Sequence, residues 1–63
     1  MENTGNLTKF RRKKNLTISE LAEKVGVSGT CIYRYEEGTR KMQVEMAKRI
    51  AEVLKIKWWR LYD

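Results

Sequence analysis

The chain has 63 residues, so it forms a single domain with a small core, a size at which isolated folds are only marginally stable. It carries 14 Lys+Arg against 8 Asp+Glu, a formal net charge of +6, and this balance favours polyanionic partners. No histidine is present and Cys31 is the only cysteine, which excludes an internal disulfide, thiol–imidazole metal cages and Cys–His nucleophile pairs; we therefore expect no cofactor, no metal and no enzymatic activity.

The first predicted element is a helix over about residues 6–14, preceded by a tail at residues 1–5 that we expect to be flexible. Leu7 and Phe10 are its candidate inward residues, because they lie three positions apart. Asn15 tolerates the left-handed conformation that ends a helix. The sequence therefore predicts a helix of two to three turns at the start of the domain.

The segment Thr17–Glu37 predicts two short helices joined by a tight turn. Thr17 and Glu20 form the capping box S/T-x-x-E, so the second helix should begin near Ile18. Gly26 supplies the left-handed residue that commonly closes a helix. The apolar face of this helix consists of Leu21, Ala22 and Val25.

The third helix follows Ser28, a favoured N-cap, and carries Ile32 and Tyr35 on its apolar side. Its other side carries polar side chains at helical spacing: Thr30, Tyr33, Arg34 and Glu37. Two short helices around a tight turn, with a polar outer face on the second, are typical of a DNA-reading element.

The C-terminal part begins at Gly38, which releases the chain into the loop 39–42. A fourth helix is predicted from about Gln43 to Leu54, with an apolar face that consists of Val44, Ala47, Ile50, Ala51 and Leu54. A short helical turn would cover the open end of the core with Ile56, Trp58, Trp59 and Leu61. No strand pattern, internal repeat or low-complexity linker is visible in the sequence.

In this order, these motifs resemble the phage repressor and Cro family, also called the XRE-like helix-turn-helix family, whose five-helix domains bind operator DNA as dimers. The resemblance extends from about Leu7 to Leu61, and its marks are Leu7 and Arg11, the segment LTISELAEKVGVS, Ile32, YEEG and the ending LKIKWWRLY. It implies an all-α, compact five-helix, lambda-repressor-like DNA-binding domain over residues 1–63, with the helix-turn-helix at helices two and three.

Members of this family commonly read bases from the first two positions of the third helix and from one position a turn later. Here these positions correspond to Gly29, Thr30 and Arg34, with Tyr33 adjacent. Gly29 departs from the pattern because it has no side chain with which to read a base. Arg34 is the best single candidate, since a guanidinium can bond both O6 and N7 of guanine; the alternative is a phosphate contact.

The resemblance also implies phosphate contacts on either side of the reading helix. Free N–H groups and the helix dipole at Ile18, with the Thr17 hydroxyl nearby, form a ready anion site. Lys13 and Lys14 lie at the end of the first helix, and Arg40 and Lys41 lie after the third. Each could bind phosphate; the alternative is a solvated surface position without a DNA contact. The predicted phosphate-binding residues are Thr17, Ile18, Ser28, Arg40, Lys41, Lys13 and Lys14.

Arg11 and Glu36 match positions at which the family often places a salt bridge between the first and third helices. The alternative is an exposed pair worth about 1 kcal/mol or less.

Adjacent tryptophans in so small a core predict that one ring faces outward, and we assign Trp58, with Val53 and Ile56, to a dimer interface. The alternative is that both rings cover the core.

Three further positions need a separate interpretation. Cys31 is expected to pack at the edge of the core rather than to act as a redox sensor, because no second cysteine accompanies it. Met42 stands where relatives often carry proline, and Lys57 stands where a helix cap is usual. The geometry of the loop and of the last helix is therefore not defined by the resemblance.

The expected function is that of a sequence-specific regulator of transcription, a Cro-like repressor that binds a palindromic double-stranded operator as a homodimer through the major groove. We expect no small-molecule ligand. Because the sequence has no membrane-length apolar run and no signal-peptide pattern at its start, we expect a cytoplasmic protein without a membrane partner. The alternatives are an antitoxin-type or other protein-binding module with secondary DNA binding, and, less favoured, a basic RNA-binding fragment.

Overall fold

Five helical elements follow one another along residues 5–62, the part of the chain that the computed structural model describes. They are α1 (Gly5–Lys13), α2 (Ile18–Val25), α3 (Gly29–Glu37), α4 (Val44–Leu54) and a short 3-10 helix, η1 (Trp58–Tyr62). No strand occurs within these residues, so the predicted all-α class is confirmed. The predicted tail lies outside the described residues except for Gly5, which opens α1.

Capping residues define the ends of α2 and α3 as the sequence predicts. The Thr17 hydroxyl accepts a 3.0 Å hydrogen bond from the Glu20 N–H, and the Glu20 carboxylate accepts a 2.9 Å bond from the Thr17 N–H, which completes the capping box. The two helices end at Gly26 and Gly38, whose φ angles of 93° and 86° lie in the left-handed region that favours glycine. Local sequence chemistry therefore determines both helix boundaries.

The core lies between all five elements. Its largest fully buried side chains are Leu7, Leu21, Ile32, Ile50, Leu54 and Leu61. Ala22 is 2% exposed in α2, which packs closely against α3, so its small side chain lets the two helices approach each other. Each fully buried leucine or isoleucine contributes about 1.5–3 kcal/mol of transfer free energy, which is how a short chain holds these helices in place.

The predicted inward position of Val44 is wrong, because this side chain is 45% exposed. Val44 is the first residue of α4, after the N-cap Gln43, and the buried face of the helix begins at Ala47. Met42, from the preceding loop, is only 4% exposed and belongs to the core cluster. The Met42 carbonyl also accepts a 2.7 Å hydrogen bond from the Tyr62 hydroxyl, so the end of η1 holds this loop.

One connection between helices has no counterpart in the sequence patterns. Arg49 of α4 donates a 2.7 Å hydrogen bond from Nη2 to the carbonyl of Val25, the last residue of α2. The last four carbonyls of a helix lack partners within the helix, so Arg49 satisfies one of them from a distant part of the chain. A Cβ added at Gly26 would lie 3.2 Å from Arg49 Nη2, so the absent side chain at Gly26 leaves room for this contact.

Candidate nucleic-acid interface

The outer face of α3 is the surface predicted to read DNA. Thr30, Tyr33 and Arg34 are exposed, while Ile32 and Tyr35, on the same helix, are 0% and 4% exposed. The burial of these two apolar residues fixes the rotation of α3 about its axis. The three polar side chains therefore point away from the core together.

Gly29, the first residue of α3, is half-buried next to the start of α2. A Cβ at this position would lie 3.9 Å from both Ile18 Cγ2 and Ser19 Oγ, which is ordinary van der Waals contact. Packing therefore does not require glycine here. The absence of a side chain instead leaves the backbone of α3 open to close approach at this end.

Tyr33 and Glu37 are linked across one turn of the exposed face. The Tyr33 hydroxyl donates a 3.1 Å hydrogen bond to Glu37 Oε2, and Thr39 Oγ1 donates to Glu37 Oε1 at 3.5 Å. The hydrogen bond from Tyr33 to Glu37 is the main cause that raises the pKa of Tyr33 above its ordinary value, and the negative charge of Glu37 is the second. The Glu37 carboxylate thus determines where the Tyr33 hydroxyl lies, a contact that the sequence analysis missed.

The candidate phosphate contacts at the helix starts are residues that also cap those helices. The Thr17 hydroxyl accepts from the Glu20 N–H, and the Ser28 hydroxyl accepts a 3.2 Å bond from the Cys31 N–H. Because a hydroxyl can donate and accept at the same time, each retains its proton for an anion. Ile18 is half-buried and opens α2, where the backbone dipole favours negative charge.

The four candidate cations are exposed, in two groups. Lys13 and Lys14 lie at the end of α1, and Arg40 and Lys41 lie in the loop after α3. Arg40 is held against α3, since its Cζ lies 5.8 Å from the centre of the Tyr35 ring and its Nη1 donates to Cys31 Sγ at 3.8 Å.

Arg11 and Glu36 form an ion pair that connects α1 to α3. Arg11 Nε lies 2.6 Å from Glu36 Oε2, and the two side chains are only 11% and 9% exposed. Arg11 Nη1 also donates to the Leu16 carbonyl at 2.7 Å, while the Thr8 hydroxyl donates to Glu36 Oε1 at 2.9 Å. The pair is therefore a buried hydrogen-bonded network rather than the exposed alternative.

The outward-facing tryptophan is Trp59, which is 52% exposed, so the prediction that Trp58 faces outward is wrong. Trp58 is partly buried against the core, in edge contact with the rings of Trp59 and Tyr62 at 5.7 and 6.1 Å. Val53 and Ile56, the other residues assigned to a dimer interface, are also half-buried and pack against the core. Trp59 is therefore the most exposed apolar ring of this region.

Other kinds of site find little support within residues 5–62. Cys31 is half-buried and packs against the core cluster, as expected for a residue at the core edge. No group of three or more potential metal-binding side chains occurs among these residues. None of their helices has both the length and the apolar character needed to cross a membrane.

The domain is small and all-helical, and it packs two short capped helices together, the second with an exposed polar face. This arrangement is typical of the helix-turn-helix class. The family comparison agrees: the chain belongs to the HTH_3 helix-turn-helix family, whose sequence profile matches residues 7–58. The predicted membership of the XRE-like group is thereby confirmed. Domains of this class are found in regulators of transcription.

Individual relatives support the same fold. The chain is 32% identical over 47 residues to a protein of Sulfolobus acidocaldarius whose name describes it as an HTH-type transcriptional regulatory protein; the match covers 75% of this chain but 15% of that relative. A crystal structure of the biofilm master regulator SinR in complex with DNA has a TM-score of 0.89 and 24% identity, covering 95% of this chain and 97% of that one. An HTH_3 family transcriptional regulator from Vibrio cholerae has a TM-score of 0.85 and 20% identity, covering 95% and 34%.

Proposed function

We propose that this chain is a sequence-specific, double-stranded DNA-binding regulator of transcription, with α2 and α3 as its helix-turn-helix and α3 as the helix that enters the major groove. The observation that carries this proposal is the exposed face of α3, where Thr30, Tyr33 and Arg34 project away from a buried apolar side. A major groove about 12 Å wide accommodates one α-helix, and its base edges present donors and acceptors that such side chains can read.

Within this proposal, Arg34 reads a guanine and Gly29 lets the backbone of α3 approach the DNA. Thr30 presents a methyl group and a hydroxyl, and Tyr33 presents mainly its ring, because its hydroxyl is held by Glu37. The Glu37 carboxylate on this face repels phosphate and can accept a hydrogen bond from a cytosine amino group.

Phosphate contacts on both sides of α3 would set the register of the protein on the duplex. We assign Thr17, Ile18 and Ser28 to contacts at helix starts, and the cations Lys13, Lys14, Arg40 and Lys41 to the flanks. Arg40 is the best positioned of these cations, since the Tyr35 ring and the Cys31 sulfur hold its guanidinium beside α3. Such contacts give affinity without sequence preference.

We further propose that the protein acts as a homodimer on a palindromic operator, as a Cro-like repressor that blocks polymerase access. Two reading helices related by a two-fold axis would then contact half-sites about 34 Å apart. Trp59, with Trp58 and Val53, offers the apolar surface for this contact. Ile56 lies instead on the surface lined by Lys13, Lys14, Lys55 and Lys57, and it is not assigned to this apolar patch.

Selection of bound sequences from random duplex DNA, followed by salt titration, tests the proposal. We expect enrichment of a palindrome, and a log–log slope of affinity against salt of about −0.9 for each phosphate neutralised. Binding that falls with salt but enriches no sequence would contradict specific reading. If the protein binds no duplex DNA at all, the protein-binding alternative remains, and the exposed Trp59 ring is the observation that favours it.

Arg34→Ala separates base reading from simple attraction to phosphate. The variant is expected to lose about 1–3 kcal/mol of discrimination at one base pair of each half-site, with little change at the others. Arg12→Ala is the matched control, because Arg12 is an exposed arginine on α1, away from the reading face. A uniform loss over all half-site variants would assign Arg34 to the DNA backbone instead.

A further inference from the structure

Two surface depressions meet at Lys55 and Ile56, where the ends of α1 and α4 approach η1. One is also lined by Phe10, Leu54, Lys13 and Lys14, and the other by Lys57 and Arg60. We call the combined surface, Lys13, Lys14, Lys55, Ile56, Lys57 and Arg60, the basic groove. Its apolar floor is Ile56, which is half-exposed, above the buried side chains of Phe10 and Leu54.

Five cations line the basic groove, and no acidic side chain is among the described residues that line it. Three of the cations lie over aromatic rings instead: Arg60 Cζ is 5.4 Å and Lys13 Nζ is 6.0 Å from the centre of the Phe10 ring. Lys57 Nζ lies 5.9 Å from the Trp59 ring. The groove therefore concentrates positive charge that the described side chains lining it do not neutralise.

Lys55 occupies a position where the backbone favours glycine. It ends α4 with φ 60° and ψ 46°, in the left-handed region, where glycine is the unstrained residue. A non-glycine residue is strained in this conformation, because its Cβ approaches the following carbonyl oxygen. The negative end of the α4 helix dipole favours a cation nearby, which accounts for Lys55 in this cluster of cations. It does not account for Lys57 and Arg60, which belong to the next segment of the chain.

The chemistry of the groove selects among its candidate occupants. A phosphate backbone gains nothing from an apolar floor, because burial against hydrocarbon removes its hydration. A second copy of this chain would bring the same five cations against each other across a two-fold axis. A protein segment that combines carboxylates with one apolar side chain matches both the rim and the floor.

We propose that the basic groove binds an acidic segment of a partner protein, which places an apolar side chain over Ile56 and Phe10 and carboxylates against Lys55, Lys57 and their neighbours. This inference goes beyond the proposed function and does not depend on it. Lys55, Ile56, Lys57 and Arg60 have no part in the DNA contacts proposed above, so the two activities can be separated by substitution.

The probe is a fluorescent peptide of glutamates and aspartates around a central Leu-Phe pair, measured by anisotropy with the whole chain at moderate salt. Lys55→Gln/Lys57→Gln is expected to weaken binding about tenfold, because it removes two partly exposed ion pairs. The matched control is Lys9→Gln/Lys24→Gln, which removes the same charge from exposed positions on α1 and α2 outside the groove. We expect the control to change affinity less than twofold.

Two further measurements complete the test. A peptide with Ser-Ser in place of Leu-Phe should bind several-fold more weakly, and backbone amide shifts on addition of the original peptide should concentrate at residues 55–57 and at Phe10. Equal binding of both peptides, or an equal loss in both double variants, would overturn the proposal in favour of nonspecific attraction. Shifts confined to α3, or shifts at residues 55–57 on addition of duplex DNA but not of peptide, would overturn it as well.

Discussion

Replacing Arg11 by alanine should unfold much of the protein population near physiological temperature. Arg11 is 9% exposed, and its guanidinium bonds both oxygens of Glu36, at 2.6 and 3.2 Å, and the carbonyl of Leu16 at 2.7 Å. The substitution would leave the Glu36 carboxylate with only the Thr8 hydroxyl, in a site where that carboxylate's side chain is 9% exposed. A buried charge without its partner is unfavourable, because water cannot replace the lost interactions.

The expected loss follows from these contacts. Removing one member of a buried ion pair costs about 3–5 kcal/mol. A domain of this length has a total stability of roughly 3–9 kcal/mol. With a shift of about 4–8 °C per kcal/mol for a domain of this size, the melting temperature should fall by at least 12 °C or so. Arg11→Ala/Glu36→Ala should be more stable than Arg11→Ala alone, because it removes the orphaned charge.

Thermal and urea unfolding followed by far-UV circular dichroism measure this difference. Arg12→Ala is the control, since Arg12 is exposed and a surface change of this kind stays within about 0.5 kcal/mol. If Arg11→Ala melts within a few degrees of Arg12→Ala, the ion pair has no structural importance. If the double variant loses as much as the two single losses combined, the coupling between Arg11 and Glu36 is absent.

Three smaller perturbations test separate contacts. Thr17→Ala removes the α2 capping box and should cost about 1 kcal/mol in urea unfolding, and a loss near zero would contradict that cap. Gly26→Ala should cost at least 1–2 kcal/mol or so, because it strains a left-handed residue and crowds Arg49; unchanged melting would contradict both effects. In a spectrophotometric titration of the tyrosines, Glu37→Gln should lower the pKa of Tyr33 towards its ordinary value, whereas the control Glu45→Gln should not. Because the neutral Tyr33 hydroxyl is the donor, its hydrogen bond to Glu37 is present below the raised pKa and is lost as pH rises through it.

Where a helix begins and ends was predictable because the signals are local. Thr17 with Glu20, Ser28, Gly26 and Gly38 act on neighbouring backbone groups, and the structure places each at the predicted helix end. The separation of exposed from buried residues in α3 follows from the same local periodicity. For that reason, the orientation of the candidate reading face could be derived without coordinates.

The errors arise where distant segments decide the outcome. Periodicity predicted that the apolar face of α4 extends back to Val44, but Val44 is 45% exposed, and Met42 of the preceding loop is buried in the core instead. The sequence pattern does not distinguish Trp58 from Trp59; in the fold, Trp58 packs against the core cluster and the Tyr62 ring, whereas Trp59 is 52% exposed. The bond from Arg49 to the Val25 carbonyl joins residues 24 positions apart, so no local pattern could predict it.

The hydrogen bond between Tyr62 and the Met42 carbonyl links two surfaces with different tasks. η1 carries the tryptophans proposed for self-association, and Met42 directly follows Arg40 and Lys41, proposed to grip the duplex. In the proposed dimer, a contact at the aromatic end would therefore reach the loop that carries the proposed phosphate contacts. We therefore predict that Tyr62→Phe, which removes this hydrogen bond, would leave the proposed self-association unchanged and weaken the proposed DNA binding.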